Sequence, residues 1–175
     1  GAAKALLSPN VATRYLAFQK LKESGAAAEP VLAKIFKSDT NPRFRARALW
    51  LLGQIDGQTP KYVAAAISDA DSNIRIAGLR LARRMGGTIA DTIAKLINDK
   101  SPQVRRECAV ALRHVDSASK PELWGRLAVQ LPSHDRWYLE ALGLAVEGSW
   151  DECMAGYAKA AATQGSDDME TVASL

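Results

Sequence analysis

Charged residues that recur at a fixed interval are the first candidates for chemistry in this chain. Aspartate occurs at positions 39, 69 and 99 and arginine at 45, 75 and 105, so both columns repeat every 30 residues. A carboxylate and a guanidinium form charge-assisted hydrogen bonds, which organise turns and hold neighbouring elements together. We interpret the two columns as a structural ladder between successive repeats, formed by Asp39, Arg45, Asp69, Arg75, Asp99 and Arg105.

Residues that could support catalysis or hold a metal form no recognisable arrangement. Cys108 and Cys153 lie far apart in apolar segments and match no metal-ligand or disulfide spacing. No serine or cysteine has a histidine and a carboxylate at a nucleophile's spacing, and Gly86-Gly87 lacks the Lys-Ser/Thr of a phosphate loop. We therefore predict no catalytic residue, no metal site, no cofactor and no enzymatic activity.

One segment concentrates residues that are common at binding surfaces. Arg136, Trp137 and Tyr138 stand together near a helix start, and Trp150 follows. Tryptophan, tyrosine and arginine are enriched among the residues that dominate binding energy. We predict a partner surface formed by these four residues. The alternative is that the two tryptophans cap the apolar end of a helical stack.

The repeat that carries the charged columns also predicts the secondary structure. Each copy offers a helix N-cap followed by proline or serine, so first helices are expected to begin near residues 42, 72 and 102. A break and a second apolar segment follow each first helix, at residues 62–67, 89–97 and 122–131. The caps are Asn41, Asp71 and Ser101.

Weaker copies of the unit extend the pattern at both ends. Ser8-Pro9 opens an N-terminal pair whose second helix covers 27–36, and residues 134–146 and 150–162 form a last pair. A period of about 20–50 residues is typical of stacked helical units. We therefore predict an all-α fold: a right-handed α-α superhelix of about five helix pairs. Residues 1–163 form one domain, and residues 164–175 form a polar tail or linker.

Composition sets few limits on function. The chain has 175 residues and a formal net charge of +4, which is mildly basic. No apolar run approaches the roughly 20 residues that cross a bilayer, so no membrane span is expected. The sequence favours no oligomer, and the isolated domain is expected to be monomeric.

The motif D-x-x-[PS]-x-[FIV]-R, followed by a small-residue helix, resembles the HEAT repeat and its short bacterial relatives over residues 8–131. The resemblance implies a non-catalytic protein-interaction or scaffolding module, whose expected partners are another protein or adjoining domains of a larger polypeptide. A narrower resemblance covers residues 104–150. It is to the HEAT portion of bacterial extracytoplasmic proteins that also carry a quinoprotein-dehydrogenase-like propeller and a cytochrome c domain, and it implies an extracytoplasmic setting.

Nucleic-acid binding is the alternative from a different functional class. Some HEAT-like proteins are DNA glycosylases, and many arginines of this chain lie on the first helices. The charges of the expected second helices nearly cancel, whereas a groove that holds phosphates should be clearly basic. The charge of the second-helix face distinguishes the two hypotheses.

Overall fold

The computed structural model describes residues 1–86 and 89–164, and this part of the chain is all-α. It contains eleven α-helices and one 3-10 helix, and no strand occurs within the two described ranges. The prediction of an all-α fold is confirmed. Of the predicted tail, residues 164–175, only Gln164 belongs to the described part, where it ends the last helix.

Residues 1–87 and 88–175 form two compact units. In the N-terminal unit α2 packs on α4 and α4 on α6, while α3 packs on α4 and α5 packs on α4 and α6. The helices are α1 (Ala2–Ala5), α2 (Val11–Glu23), α3 (Glu29–Ser38), α4 (Pro42–Leu52), α5 (Thr59–Ile67) and α6 (Ser72–Arg84), with the 3-10 helix (Gly25–Ala28) before α3.

In the C-terminal unit the helices form two layers. First helices α8 and α10 pack on each other, and second helices α7, α9 and α11 pack in succession. The unit contains α7 (Ile89–Leu96), α8 (Pro102–Leu112), α9 (Lys120–Ala128), α10 (Arg136–Ala145) and α11 (Trp150–Gln164).

Helix starts agree with the repeat, although the caps differ in detail. α4, α6 and α8 begin at residues 42, 72 and 102 as predicted. Asn41 and Asp71 accept hydrogen bonds from backbone N–H groups of the first turn. Ser101 does not, because its hydroxyl is hydrogen-bonded to Gln103 instead. At the N-terminal end, Asn10 rather than Ser8 caps α2.

Two glycines allow α9 and α11 to touch through their backbones. A Cβ on Gly125 would lie 2.4 Å from the carbonyl carbon of Gly156, and a Cβ on Gly156 would lie 2.2 Å from the carbonyl oxygen of Pro121. No real Cβ contact is this short, so any side chain here forces the helices apart. Gly143 in α10 is the opposite case, since a Cβ there meets no atom within 4 Å.

We expect Gly156→Ala to destabilise the protein by about 1–3 kcal/mol, because the added methyl group overpacks the helix crossing. Gly143→Ala is the matched control and should stabilise by about 0.5–1 kcal/mol, since alanine has the higher helix propensity. Urea unfolding followed by circular dichroism measures both free energies. Equal shifts for the two variants would contradict the close crossing of α9 and α11.

Candidate functional site

The aspartates of the predicted ladder close the turns that open the repeats. In each turn the carboxylate Oδ1 accepts the backbone N–H two residues further on, as is usual for aspartate in turns. The hydroxyl of Ser8 takes the same role in the first repeat, with Asn10 as donor at 3.2 Å. The aspartate bonds join Asp39 to Asn41 (2.8 Å), Asp69 to Asp71 (2.9 Å) and Asp99 to Ser101 (2.8 Å).

Arg14, Arg75 and Arg105 fold back onto the turns that precede their helices and donate to backbone carbonyls there. Nη1 of Arg75 donates to the carbonyls of Asp69 and Ala70, at 2.8 and 3.0 Å. Arg105 donates to the carbonyl of Asp99 at 2.7 Å. Arg14 is equivalent and donates to Ser8 at 2.7 Å. The ladder hypothesis expects arginine–aspartate bonds between side chains. The structure adds bonds from the arginine to the backbone carbonyls of the turn.

Arg45 links two repeats as the ladder hypothesis requires. Its guanidinium pairs with both carboxylate oxygens of Asp69 in the next repeat, with Nη1 3.3 Å from Oδ1. Nε also donates to the carbonyl of Phe36 at 2.8 Å, and the guanidinium lies 5.7 Å from the centre of the Phe36 ring. The side chains of Arg45 and Asp69 are only 16% and 14% exposed. Arg45 is bonded to Asp69 rather than to Asp39 in its own turn.

Arg105 of α8 makes further contacts within the C-terminal unit. Arg105 reaches the carbonyl of Gln130 at 3.4 Å and lies 6.0 Å from the centre of the Tyr138 ring. Tyr138 is fully buried, and its hydroxyl donates to the carbonyl of Leu127 at 3.0 Å. Burial raises the pKa of Tyr138 to about 12, so the phenol remains a donor at neutral pH. Its assignment to a partner surface was wrong, because the ring belongs to the core.

The other three residues of the predicted partner surface are exposed. Trp137 of α10 is 71% exposed, and Trp150, the first residue of α11, is 51% exposed. Leu144, also in α10, is 48% exposed. Arg136 is exposed and pairs with Glu140 at 3.4 Å. We call Trp137, Glu140, Leu144 and Trp150 the α10 surface.

A small cavity lies beside Trp150 of this surface. It has a volume of about 260 Å³, and Glu140 lines it while also lying one helical turn from Trp137. The indole N–H of Trp124 at this cavity donates to the carbonyl of Leu142 at 3.0 Å, which fixes the wall. The lining residues are Trp124, Leu139, Glu140, Leu142, Gly143 and Trp150.

The buried positions of α10 repeat those of the preceding first helix, α8. Aligning the cap Asp135 with the cap position Ser101 places Tyr138 on Val104, and both are fully buried. The same alignment places Leu142 on a cysteine of α8 that is also fully buried. The two helices therefore have the same packing requirement on their inner side.

The outer positions of α10 differ from those of α8 in this register. Trp137 of α10 stands where α8 has the exposed Gln103, and Glu140 stands where it has Arg106. Leu144 is exposed, whereas Val110, at the same position of α8, is half-buried. The outer side of α10 therefore exposes more apolar area than that of α8, and its exposed arginine, Arg136, stands in the column of Pro102 instead of that of Arg106.

A second concave region, the α9–α11 groove, lies between α9 and α11, and the sequence did not predict it. Its volume is about 750 Å³, and small residues from both helices form its floor. Arg126 lies 4.0 Å from Glu122 across its edge, and Lys159 adds a second positive charge. The lining residues are Asn98, Ala118, Pro121, Glu122, Arg126, Ala155, Gly156, Lys159, Ala160 and Thr163.

Second helices are also joined by a polar network that the repeat pattern did not predict. Glu29 of α3 accepts hydrogen bonds from Lys61 Nζ and from the Tyr62 hydroxyl of α5, both at 2.7 Å. The hydrogen bond from Lys61, followed by that from Tyr62, lowers the pKa of Glu29. Tyr62 also packs edge-on against Phe36, with ring centres 6.3 Å apart. The network fixes α5 against α3.

The cysteines lie in surroundings that suppress thiolate chemistry. Cys108 and Cys153 are both buried, and burial raises the pKa of each thiol. The thiolate is the reactive form, so a buried thiol with a raised pKa is inert at neutral pH. Within residues 1–86 and 89–164, no three His, Cys, Asp or Glu side chains converge where a metal ion could bind.

Comparison with known proteins adds no assignment, because no protein-family model matches the chain and no curated protein matches it either. Among the helices of the described part, none combines the length and the apolar character that a bilayer crossing requires.

We expect Arg45→Ala to lower the free energy of unfolding by about 1–3 kcal/mol, because the Asp69 carboxylate loses its partner in a poorly solvated place. Arg113→Ala is the control: Arg113 pairs with Glu147 at 3.3 Å, but both side chains are more than half exposed. Exposed pairs contribute about 0–1 kcal/mol. A loss at Arg45 no larger than at Arg113 would contradict a stabilising ladder.

Neighbouring positions on α10 should respond in opposite ways. Tyr138→Phe is expected to cost about 1–3 kcal/mol, since the buried carbonyl of Leu127 loses its donor. Trp137→Ala should change stability by less than about 0.5 kcal/mol, because surface substitutions rarely do more. Thermal and urea unfolding of the two variants provide the comparison. A larger loss for Trp137→Ala would show that the indole belongs to the core.

Proposed function

We propose that this protein is a non-catalytic protein-interaction module built as a HEAT-like solenoid. The proposed architecture is a right-handed α-α superhelix of about five helix pairs that serves as a scaffold within a larger polypeptide. In the C-terminal unit first helices pack on first helices and second helices on second helices, as stacked repeats require. Turns closed by Asp or Ser and held by an arginine recur in both units.

The observation that carries the proposal is the α10 surface. Trp137 and Trp150 are each more than half exposed, and Leu144 is nearly so. A solvent-facing column of a helical repeat normally carries polar residues, because exposed apolar patches promote association. Trp137 instead stands in a column that α8 fills with glutamine, and Leu144 is exposed where Val110 of α8 is half-buried. This extra apolar area supports a second polypeptide that covers the face.

The chemistry of the surface describes the partner it suits. The cavity of about 260 Å³ beside Trp150 accommodates one apolar side chain, which the tryptophan rings would cover. Glu140 lines the cavity, and the segment that contains it is acidic: Asp135, Glu140, Glu147, Asp151 and Glu152 lie between residues 133 and 152, where Arg136 is the one Lys or Arg. A partner segment with an apolar anchor and basic neighbours complements this surface.

The same charges argue against the nucleic-acid alternative at this face. Carboxylates beside a binding surface repel phosphates, whereas phosphate contacts require lysine and arginine. In the α9–α11 groove the positive charges of Arg126 and Lys159 are partly offset by Glu122. We therefore propose a protein partner and no nucleic-acid partner.

A photo-crosslinking amino acid placed at Trp137 tests the proposal in cells that produce the whole polypeptide. We expect covalent protein adducts from position 137. The matched control is Gln103, which is exposed at the equivalent position of α8 and should give background adducts alone. Mass spectrometry identifies the captured polypeptide. Equal background at both positions would overturn the proposal.

A further inference from the structure

The first long helix presents a second apolar surface, at the opposite end of the sequence. In α2 the buried residues are Ala17 and Leu21. Val11 is 68% exposed, Tyr15 60% and Leu16 67%. Val11 and Tyr15 are four residues apart and so share a helix face, with Leu16 next to it. We call Val11, Ala12, Tyr15 and Leu16 the α2 surface.

Aligning α2 with α4, the first helix of the next repeat, shows that some positions of the α2 surface are occupied by arginine in α4. Aligning the cap Asn10 with the cap Asn41 superimposes Arg14 on Arg45, and both fold back onto backbone carbonyls. In that register Leu16 stands where α4 has Arg47, and Ala12 stands where it has Arg43. The α2 surface thus departs from an interior repeat in the same direction as the α10 surface does, because apolar area is gained and arginine is lost.

The two surfaces nevertheless lie in segments of opposite charge. Up to the end of α2, residues 1–23 contain four basic side chains, Lys4, Arg14, Lys20 and Lys22, and one acidic side chain, Glu23. The segment around the α10 surface has an excess of carboxylates. Arg113 offsets one of them by pairing with Glu147, and Arg136 pairs with Glu140. Asp151 and Glu152 are also exposed, so the excess persists.

We propose that the α2 surface binds the α10 surface of a second copy of this chain, in a head-to-tail contact between molecules. Exposed apolar side chains of one copy would cover those of the other, and the basic and acidic rims would attract. The inference deepens the proposed function and rests on it, because it names the occupant of the α10 surface as another copy.

Charge selects this arrangement over a symmetric one. A contact of two α2 surfaces would bring two basic segments together, and a contact of two α10 surfaces would bring two acidic segments together. Like charges across an interface suppress wrong pairings. A contact between unlike surfaces leaves one of each unused at the ends, so copies can continue to add unless the geometry closes a ring.

Two variants that borrow residues from the interior repeats provide the test. The α2 variant carries Tyr15→Ala and Leu16→Arg, which are the residue types that α4 has at positions 46 and 47. The α10 variant carries Trp137→Gln and Glu140→Arg, which are the residue types that α8 has at positions 103 and 106. The first variant removes apolar area, and the second also reverses a charge of the acidic rim.

Both variants should keep the fold, because all four substituted positions are exposed. Circular dichroism and thermal unfolding verify this before assembly is measured. Gln103→Ala is the matched control, since it alters an exposed position of α8 outside both surfaces.

Sedimentation velocity of the purified chain, at concentrations up to about 1 mM, measures assembly across the weak-affinity range. We expect the parent protein and the Gln103→Ala control to form species larger than a dimer as concentration rises. Either variant alone should be monomeric. An equal mixture should form a heterodimer and nothing larger, because one intact surface of each kind remains. Added salt should weaken every assembly.

Several results would overturn the inference. One is a parent protein that stays monomeric throughout. Another is a variant that dimerises alone, which would indicate a symmetric contact through the surface it keeps. The third is a mixture that stays monomeric although the parent assembles. Failure here is separable from failure of the proposed function. Crosslinks from position 137 to a different polypeptide, with a monomeric parent, would sustain the function and reject self-assembly.

Discussion

The hydrogen bonds that an arginine makes to the turn preceding its own helix are the interaction on which the repeat depends. A turn between packed helices presents backbone carbonyls that helix hydrogen bonds cannot satisfy, and leaving them unpaired is costly. Arg14, Arg75 and Arg105 satisfy such carbonyls from within their own repeat. The guanidinium has five donors in a fixed plane, so it can also reach outward. Arg45 does so by pairing with Asp69 of the next repeat. One residue type therefore holds the turn before a helix and, at Arg45, also links one repeat to the next.

Local signals predicted the first helices well and the second helices less well. The starts of α4, α6 and α8 follow from caps and prolines, which act within four residues. α5 and α9 begin three and two residues earlier than apolar content suggested, because proline at their second position starts them. Tyr138 was misplaced for a different reason. Grouping it with Trp137 used local composition, whereas the helical period aligns it with Ala141, Leu142 and Ala145, all of which are buried.

Features that depend on contacts between repeats were beyond the local patterns, although the repeat period carries some of them. Gly125 and Gly156 are 31 residues apart, close to one period, and the structure brings their backbones together. Glycine in a helix interior is unfavourable by about 1 kcal/mol relative to alanine, so two glycines in one column indicate a required close approach. The Glu29–Lys61–Tyr62 network has no such signal, because its members recur in no column of the other repeats.

The interior repeats serve as internal references for the two end helices. In the columns where α2 has Leu16 and α10 has Trp137, α4 and α8 have arginine and glutamine. Ala17 and Leu21 of α2 align with buried residues of α4, and Tyr138 aligns with a buried residue of α8, so the inner sides of these helices meet similar packing demands. The exposed tryptophan therefore has no role in folding that α8 shares, whereas Arg47 of α4, in the column of Leu16, donates to the backbone carbonyl of Leu6. Solvent-facing columns favour polar residues because exposed apolar patches promote aggregation. The presence of Leu16 and Trp137 against that preference is best explained by contacts that cover them, and the opposite charges around the two surfaces indicate that each can cover the other.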